Sequence, residues 1–164
     1  MALTGGIASG KSTVCRVLRE FLPTIEIFDC DAAVHRMLEA DPEVAAIISE
    51  AFGDQALDSH GRIDRHFLRG RVFADEAARL RLEAILHPRV RQECLDSREK
   101  AATRGADLFV ADVPLFFEKG FDYGQSQVLV VASSRSTQIQ RLKARGGFED
   151  SLIEAILAAQ LPVQ

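Results

Sequence analysis

The chain has 164 residues, of which 47% are hydrophobic, and its formal net charge is -4. This is the size of one globular domain with room for a small inserted subdomain. A mildly acidic chain gives no reason to expect nucleic acid or an anionic membrane as a partner. The three cysteines form no C-x-x-C pair, so we expect neither a zinc site nor a redox motif. Without a long apolar span or a signal-peptide pattern, the cytoplasm is the expected compartment.

Short apolar runs alternate with helical patterns along the chain. The patterns predict strands over 1–4, 25–28, 108–111 and 128–132, and helices over 11–21, 42–52, 65–73, 76–86, 88–104, 136–145 and 150–160. We expect the His87-Pro88 pair to separate two of these helices. The runs at 108–111 and 128–132 are continuously apolar, as in central strands covered on both faces. The alternation predicts an α/β fold with a parallel sheet, flanking helices and right-handed crossovers.

One connection between strands is unusually long. The segment from Asp31 to Gly105 greatly exceeds the dozen or so residues that a crossover between parallel strands needs. We expect it to form a helical substrate subdomain, because ligands of open α/β folds bind beyond the carboxyl ends of the strands, where this segment begins. The alternative is a helical bundle that only stabilises the core.

A glycine-rich phosphate loop (residues 5–12) follows the first predicted strand and opens the first predicted helix. Its sequence, GGIASGKS, fits the pattern G-x-x-x-x-G-K-[ST] at every fixed position. Such a loop turns backbone N–H groups toward phosphate oxygens, and the positive end of the following helix favours the anion. We expect Lys11 to reach the β and γ phosphates of a nucleoside triphosphate and Ser12 to ligate Mg²⁺. A chance glycine turn is the alternative, and the strand–loop–helix context argues against it.

Two other classes of phosphate-loop protein fit the chain less well. A GTPase usually selects guanine with an Asn-Lys-x-Asp motif, and the chain contains no asparagine. The string from Asp58 to Gly61 fits the GTPase D-x-x-G pattern but lies in the inserted segment, so we interpret it as coincidence. An ATP-driven motor usually needs more chain for mechanical coupling than 164 residues provide.

Carboxylates follow two of the predicted strands at their carboxyl ends. Asp29 and Asp31 come directly after the second strand, and Asp112 ends the third. A carboxylate there can accept the proton of an acceptor hydroxyl or hold Mg²⁺ through water. We expect a catalytic role for at least one of Asp29 and Asp31, but alternation along an extended segment would send both to one side and does not choose between them. The alternative for Asp31 is the N-cap of a helix starting at Ala32.

Two arginines follow the last predicted strand. Arg141 and Arg145 lie four residues apart and therefore share a helix face. Arginines that close over the transferring group assist phosphoryl transfer, so both are candidates for phosphate contacts. Spacing alone favours a solvated helix face.

Several strings together resemble the dephospho-coenzyme A (dephospho-CoA) kinase family, and they run over essentially the whole chain. They are Leu3-Thr4 with the phosphate loop and Thr13, Asp29-Cys30-Asp31, Gly61-Arg62-Ile63-Asp64-Arg65, Leu86-His87-Pro88-Arg89-Val90, Asp112-Val113-Pro114-Leu115-Phe116-Phe117-Glu118, Gln140-Arg141 with Arg145, and Ala158-Ala159-Gln160. The family usually has alanine where Cys30 stands and leucine where Phe116 stands, and neither departure touches the expected chemistry.

The resemblance implies ATP-dependent phosphorylation of the ribose 3′-hydroxyl of dephospho-CoA, the last step of coenzyme A biosynthesis. It implies a P-loop kinase core at 1–30 and 106–133, a helical coenzyme-A-substrate subdomain at 31–105 and a lid at 134–164. The family's closing strand and helix are expected to be absent from this chain. We expect a monomer whose partners are ATP and dephospho-CoA. The alternatives are another P-loop kinase of a small hydroxylated metabolite or nucleotide, and a nucleotide-binding module without turnover.

The resemblance also assigns roles to individual residues. It implies that Asp31 is the catalytic base and that Lys11 and Arg141 also take part in catalysis. The residues implied in ATP binding are Gly6, Ile7, Ala8, Ser9, Gly10, Lys11, Ser12, Thr13 and Arg145. The residues implied in substrate binding are Thr4, Asp31, Arg65, His87, Pro114, Leu115 and Glu118. Ser12 is the expected magnesium ligand.

Overall fold

A computed structural model describes residues 1–114, 116–119, 122–147 and 149–160, without the side chains of Glu118 and Lys119. Strands and helices alternate along it, with a 3-10 helix at Asp54–Ala56. The strands are β1 (Ala2–Thr4), β2 (Glu26–Asp29), β3 (Phe109–Asp112) and β4 (Val128–Val130). The helices are α1 (Lys11–Phe21), α2 (Cys30–Ala40), α3 (Pro42–Phe52), α4 (Arg65–Ala74), α5 (Glu76–Thr103), α6 (Phe116–Lys119), α7 (Arg135–Arg145) and α8 (Asp150–Ala158).

The four strands form one parallel sheet in the order β2-β3-β1-β4. Its register brings strand ends together at one edge: Asp29 of β2 lies opposite Asp112 of β3, and Leu3 of β1 lies opposite both Asp112 and Leu129 of β4. The predicted α/β fold with a parallel sheet is confirmed. Because the strands are parallel, the segments that leave their carboxyl ends all begin at this edge.

The core of the sheet lies at β1 and β3. Leu3 and Val110 are fully buried and pack with Cys15 of α1. The prediction of a central strand is wrong for β4, because among the described residues it pairs with β1 alone and its three side chains are 37 to 43% exposed. Its apolar composition matches that of a covered strand, so composition did not reveal an edge position.

The His87-Pro88 pair does not separate two helices, contrary to the sequence expectation. One helix, α5, continues through it. A proline in a helix interior costs about 3 kcal/mol, because it removes a hydrogen bond and crowds the preceding turn. Leu86 and Val90, on either side of Pro88, are 5% and 2% exposed. Burying two such side chains contributes about 1.5 to 3 kcal/mol each, which together offsets the cost of the proline.

The chain turns from strand to helix immediately after Asp29. Helix α2 begins at Cys30, so Asp31 lies within its first turn. The alternative in which Asp31 is the N-cap of a helix from Ala32 is therefore wrong, and so is the premise that 29–31 is extended. Cys30 is nevertheless buried while Asp29 and Asp31 are exposed.

The string from Asp58 to Gly61 forms a turn. Asp58 Oδ1 accepts hydrogen bonds from the backbone N–H groups of Arg62 at 2.9 Å and His60 at 2.8 Å, and Gly61 has φ 73°. The N–H of Arg62, followed by that of His60, holds the pKa of Asp58 below its usual value. Turn chemistry thus accounts for both the aspartate and the glycine of this D-x-x-G string.

The chain divides into two compact units. One contains Met1–Asp29 and Cys94–Gln164, and the other contains Cys30–Glu93. The first unit holds the sheet, the phosphate loop, α7 and α8, while α2, α3 and α4 belong to the second. The substrate role of the inserted segment stays a prediction. No helix in the described ranges is both long and apolar enough to span a membrane.

Candidate active site

The phosphate loop has a backbone that most side chains would disrupt. Gly5 and Gly10 have φ 151° and 110°, which glycine adopts most readily. A Cβ on Gly5 would also lie 2.2 Å from the carbonyl oxygen of Val131. Ala8 has φ 55° although it carries a side chain. The backbone N–H of Ser9 donates to the Gly6 carbonyl at 3.2 Å, so the loop closes on itself before α1 begins.

Lys11 reaches back across the phosphate loop. It is the first residue of α1, and its Nζ donates to the carbonyl oxygen of Gly5 at 3.1 Å. The ammonium group therefore lies beside the curve of backbone that joins Gly5 to Gly10. An anion in that curve would meet the Lys11 charge and the positive end of α1 together.

The carboxylates of Asp29 and Asp112, at the ends of neighbouring strands, lie near the first turns of α1. The Cys15 thiol donates to Asp112 Oδ2 at 3.9 Å, and Cys15 shares a helix face with Lys11 and Ser12 one turn earlier. Burial raises the pKa of this thiol above its ordinary value, and the charge of Asp112 raises it further. Asp29 raises it too, while Arg19 and Lys11 lower it. The strand-end carboxylates and the first turn of α1 are thus close enough that their charges act on the same thiol.

The groups at this edge have the chemistry of a magnesium site that a nucleotide completes. Ser12 is exposed in the first turn of α1, and Asp29 and Asp112 end adjacent strands. Mg²⁺ prefers oxygen ligands and is usually bound through one or two carboxylates, waters and substrate phosphates. Among the described residues no three His, Cys, Asp or Glu side chains cluster as a metal site of their own. Ser12, Asp29 and Asp112 therefore fit a Mg²⁺ ion whose remaining ligands would be phosphate oxygens and waters.

Helices α7 and α8 pack against the phosphate loop. Leu142, Ile153 and Leu157 form one buried cluster with Ala8 of the loop, and Ile7 and Ile139 pack against that cluster. Ion pairs join the two helices at both ends: Lys143 with Asp150 at 2.8 Å, and Arg135 with Glu154. Ion pairs therefore hold α7 and α8 together, and residues of the phosphate loop pack against their shared apolar face.

Arg141 and Arg145 differ in position although they share a helix face. Arg141 Nη1 donates to the carbonyl oxygens of Ala8 and Ser9, both at 2.9 Å. Arg145 is exposed at the end of α7, and no hydrogen bond joins it to the loop within the described residues. Arg141 is therefore hydrogen-bonded to the phosphate loop, whereas Arg145 lies one turn further along α7.

Two glutamines that contact the loop were given no role from the sequence. Gln138 Nε2 donates to the Ile7 carbonyl at 2.8 Å, and the Ile7 N–H donates to Gln160 Oε1 at 2.9 Å. Gln138 lies three residues before Arg141, and that spacing on one helix face is a signal that could have found it. Gln160 lies beyond the end of α8, where helix spacing gives no signal, although it ends the Ala158-Ala159-Gln160 string that the sequence analysis identified.

One family of known proteins matches the chain along its whole length. The family model described as dephospho-CoA kinase matches residues 1–164. The chain belongs to the dephospho-CoA kinase family. The resemblance inferred from the sequence is therefore confirmed.

Individual relatives and solved structures resemble the chain along nearly its whole length. The chain is 41% identical to the dephospho-CoA kinase of Wolinella succinogenes over 165 residues, which cover 100% of this chain and 79% of the relative. The crystal structure of TT1252 from Thermus thermophilus has a TM-score of 0.78 at 33% identity, covering 98% of this chain and 79% of that one. The dephospho-CoA kinase from Campylobacter jejuni has a TM-score of 0.64 at 25% identity, covering 97% and 78%. The P-loop kinase fold is likewise confirmed.

Two residues implied in substrate binding by the dephospho-CoA kinase pattern have identified hydrogen bonds. Thr4, at the end of β1, is 3% exposed, and its Oγ1 accepts from the N–H of Phe116 at 3.4 Å. Arg65 begins α4, and its Nη2 lies 2.8 Å from His35 Nδ1. Thr4 belongs to the first unit and Arg65 to the second. Their contact with substrate stays a prediction.

Apart from Asp31 in the first turn of α2, the remaining implied substrate residues lie in three settings. His87 is half-buried within α5, and Pro114 is half-buried after the end of β3. Leu115 and the side chain of Glu118 lie outside the described part of the chain. The roles of all four in the dephospho-CoA kinase reaction stay predictions.

Proposed function

We propose that the chain transfers the γ-phosphoryl group of ATP to the ribose 3′-hydroxyl of dephospho-CoA, giving coenzyme A and ADP. Membership of the dephospho-CoA kinase family supports this pair of substrates and this last step of coenzyme A biosynthesis. The observation that carries the kinase assignment is the phosphate loop, whose Lys11 ammonium lies 3.1 Å from the Gly5 carbonyl at the start of α1.

The loop supplies the donors that a triphosphate needs. Phosphoryl transfer depends mostly on positioning and on stabilising charge, because the transition state spreads negative charge over the phosphoryl oxygens. Lys11 would exchange its bond to a carbonyl for bonds to phosphate oxygens. A bound Mg²⁺, held by Ser12 and through water by Asp112 or Asp29, would neutralise part of the phosphate charge.

The acceptor side of the reaction is assigned to Asp31. It follows the carboxyl end of β2 by two residues and is exposed in the first turn of α2. An exposed carboxylate at this edge can orient an acceptor hydroxyl and take its proton as the new P–O bond forms. Arg141 would add positive charge on the side of the loop that faces α7.

We further propose that the protein works as a monomer in the cytoplasm. Lys11, Ser12, Asp31, Asp112 and Arg141 all come from one chain. Cys15, Cys30 and Cys94 are buried thiols that form no disulfide, which suits a reducing compartment.

Coupled detection of ADP release tests the proposed function. The chain is incubated with MgATP and separately with dephospho-CoA, AMP, adenosine and simple sugars. We expect ADP release to depend on dephospho-CoA, with one phosphate added per acceptor by mass spectrometry. Preference for another acceptor would indicate a different small-molecule kinase, and ATP binding without turnover of any acceptor would indicate a binding module.

Arg141→Ala is expected to weaken turnover with ATP. The change removes a cationic donor that now bonds two loop carbonyls. Hydrogen bonds to charged groups contribute about 1.5 to 3 kcal/mol, so kcat/KM for ATP should fall roughly tenfold to a hundredfold. Steady-state kinetics with Arg145→Ala alongside provides the comparison, and we expect the smaller loss there. Unchanged kinetics in Arg141→Ala would remove Arg141 from the proposed site.

A further inference from the structure

We propose that Gln138 and Gln160 are positioning residues for ATP, which hold the phosphate loop in its anion-binding shape by bonding both polar groups of Ile7. The inference rests on the proposed function in one respect, that the loop is the ATP site. Gln138 lies in the first turn of α7, and Gln160 lies two residues beyond the end of α8. Gln138 donates to the Ile7 carbonyl at 2.8 Å, and Gln160 accepts from the Ile7 N–H at 2.9 Å.

The donor and acceptor roles of the two amides are fixed by their partners. A backbone N–H only donates and a carbonyl oxygen only accepts, so Gln160 must present its oxygen and Gln138 its nitrogen. Both amide ends also converge on Gly6. A Cβ there would lie 2.8 Å from Gln160 Oε1 and 3.0 Å from Gln138 Nε2. Gly6 therefore allows the close approach of both amides.

Bonds to the loop carbonyls set the direction of the loop N–H groups. In a planar trans peptide, the carbonyl of one residue and the N–H of the next point to opposite sides. Helix α7 holds three successive carbonyls, that of Ile7 through Gln138 and those of Ala8 and Ser9 through Arg141. The N–H groups of residues 8, 9 and 10 therefore point away from α7. That of Ser9 turns into the loop, where it meets the Gly6 carbonyl.

Strain at Ala8 explains why the neighbouring peptide needs to be held. A left-handed backbone at a residue with a side chain, as at Ala8 with φ 55°, is strained and persists where the surroundings enforce it. Apolar packing of Ala8 against Leu142 and Ile153 attracts the loop to α7 and α8, but it does not orient peptide groups. The hydrogen bonds from the Gln138 and Gln160 side-chain amides to Ile7 orient the peptide groups immediately before the strained residue Ala8.

Neutral variants give the first test. Gln138→Met and Gln160→Met keep side-chain length and remove the amide, so each should weaken MgATP binding roughly threefold to tenfold, as expected for one neutral hydrogen bond. Gln140→Met is the matched control, since Gln140 is exposed on the same helix. Affinity is measured by calorimetric titration with MgATP alone. In the kinetic assay, KM for ATP should rise while KM for dephospho-CoA and the thermal midpoint stay unchanged.

Charged variants give a sharper test, because only one amide acts as a donor. Gln138→Glu loses the donor, whereas Gln160→Glu keeps an acceptor for the Ile7 N–H. Both place a negative charge beside Gly6, but in Gln138→Glu the carboxylate faces the Ile7 carbonyl oxygen, whereas in Gln160→Glu it faces the Ile7 N–H, so the difference in affinity reports the donor role of one amide against the acceptor role of the other. We expect Gln138→Glu to bind MgATP roughly tenfold more weakly than Gln160→Glu. Equal affinities in this pair, or parental affinity in both methionine variants, would overturn the proposal.

Failure of this proposal can be told apart from failure of the proposed function. The titration contains no acceptor, so it reads the loop alone. If the parent binds MgATP without phosphorylating dephospho-CoA, the proposed reaction fails and the positioning role is still measured. If the parent phosphorylates dephospho-CoA and the variants bind MgATP normally, the positioning role fails alone.

Discussion

Lys11→Ala is expected to reduce turnover of ATP with dephospho-CoA by at least 10²- to 10³-fold, roughly the cost of removing one transition-state donor from an active site. Lys11 is the one charged residue of the phosphate loop. Its Nζ already lies 3.1 Å from a loop carbonyl, within the curve where phosphates are expected. Because negative charge is redistributed over the phosphate oxygens as the transition state forms, a cation aimed at those oxygens stabilises the transition state more than bound ATP, and kcat should fall further than affinity for ATP.

The fold should survive the loss of Lys11. The side chain is half-buried and makes one hydrogen bond to Gly5 within the described residues. Circular dichroism and a thermal melt check this directly. Lys100→Ala is the matched control, because Lys100 is an exposed lysine of the same unit that lies on α5, outside the proposed site. Parental activity in Lys11→Ala would mean that residues 5–12 are not the phosphate site.

The sequence predicted those elements whose ends carry local signals. Helix α1 spans the predicted 11–21 because the glycine loop fixes its start and Pro23 follows its end. Helix α3 spans the predicted 42–52, and the Asp41 side chain accepts from the N–H groups of Glu43 and Val44 as the cap signal implies. Both ends depend on residues within a few positions, so sequence alone determines them.

Other elements depend on packing that the sequence does not display. The uninterrupted helix at Pro88 is decided by buried neighbours on both sides, against the local preference of proline. The residue before α2 is Asp29, which also ends β2. The sequence therefore does not mark the start of a helix at Cys30. The exposed position of β4 follows from strand order, which composition does not encode.

The same distinction separates the parts of the candidate site. The phosphate loop is contiguous, so a pattern of eight residues at 5–12 identifies it. The contact between Ile7 and Gln160 joins residues 153 positions apart, and Gln138 lies 131 positions from Ile7. Nothing in the periodicity of α7 or α8 specifies which backbone group of the loop each side chain meets. Only the folded chain brings these groups together.

Asp31→Asn is expected to keep ATP binding and to lower kcat roughly 10²- to 10⁴-fold, the usual contribution of a general base. The ribose 3′-hydroxyl is a poor nucleophile at neutral pH, and an asparagine of the same shape cannot take its proton. Asp31 is exposed in the first turn of α2, directly beyond the carboxyl end of β2. The variant keeps side-chain size and helix position, so a thermal melt should match the parent.

Asp29→Asn is the matched comparison, because the structure gives Asp29 a different neighbourhood. Asp29 ends β2 opposite Asp112, and the charges of both raise the pKa of the Cys15 thiol on α1. This places Asp29 with the groups that fit a magnesium ion, so we expect Asp29→Asn to raise the Mg²⁺ concentration needed for half-maximal activity. Titrating MgATP and free Mg²⁺ against both variants separates the two roles. If Asp29→Asn lowered kcat more than Asp31→Asn at unchanged ATP affinity, the base would be Asp29, and Asp31 would serve only to orient the acceptor.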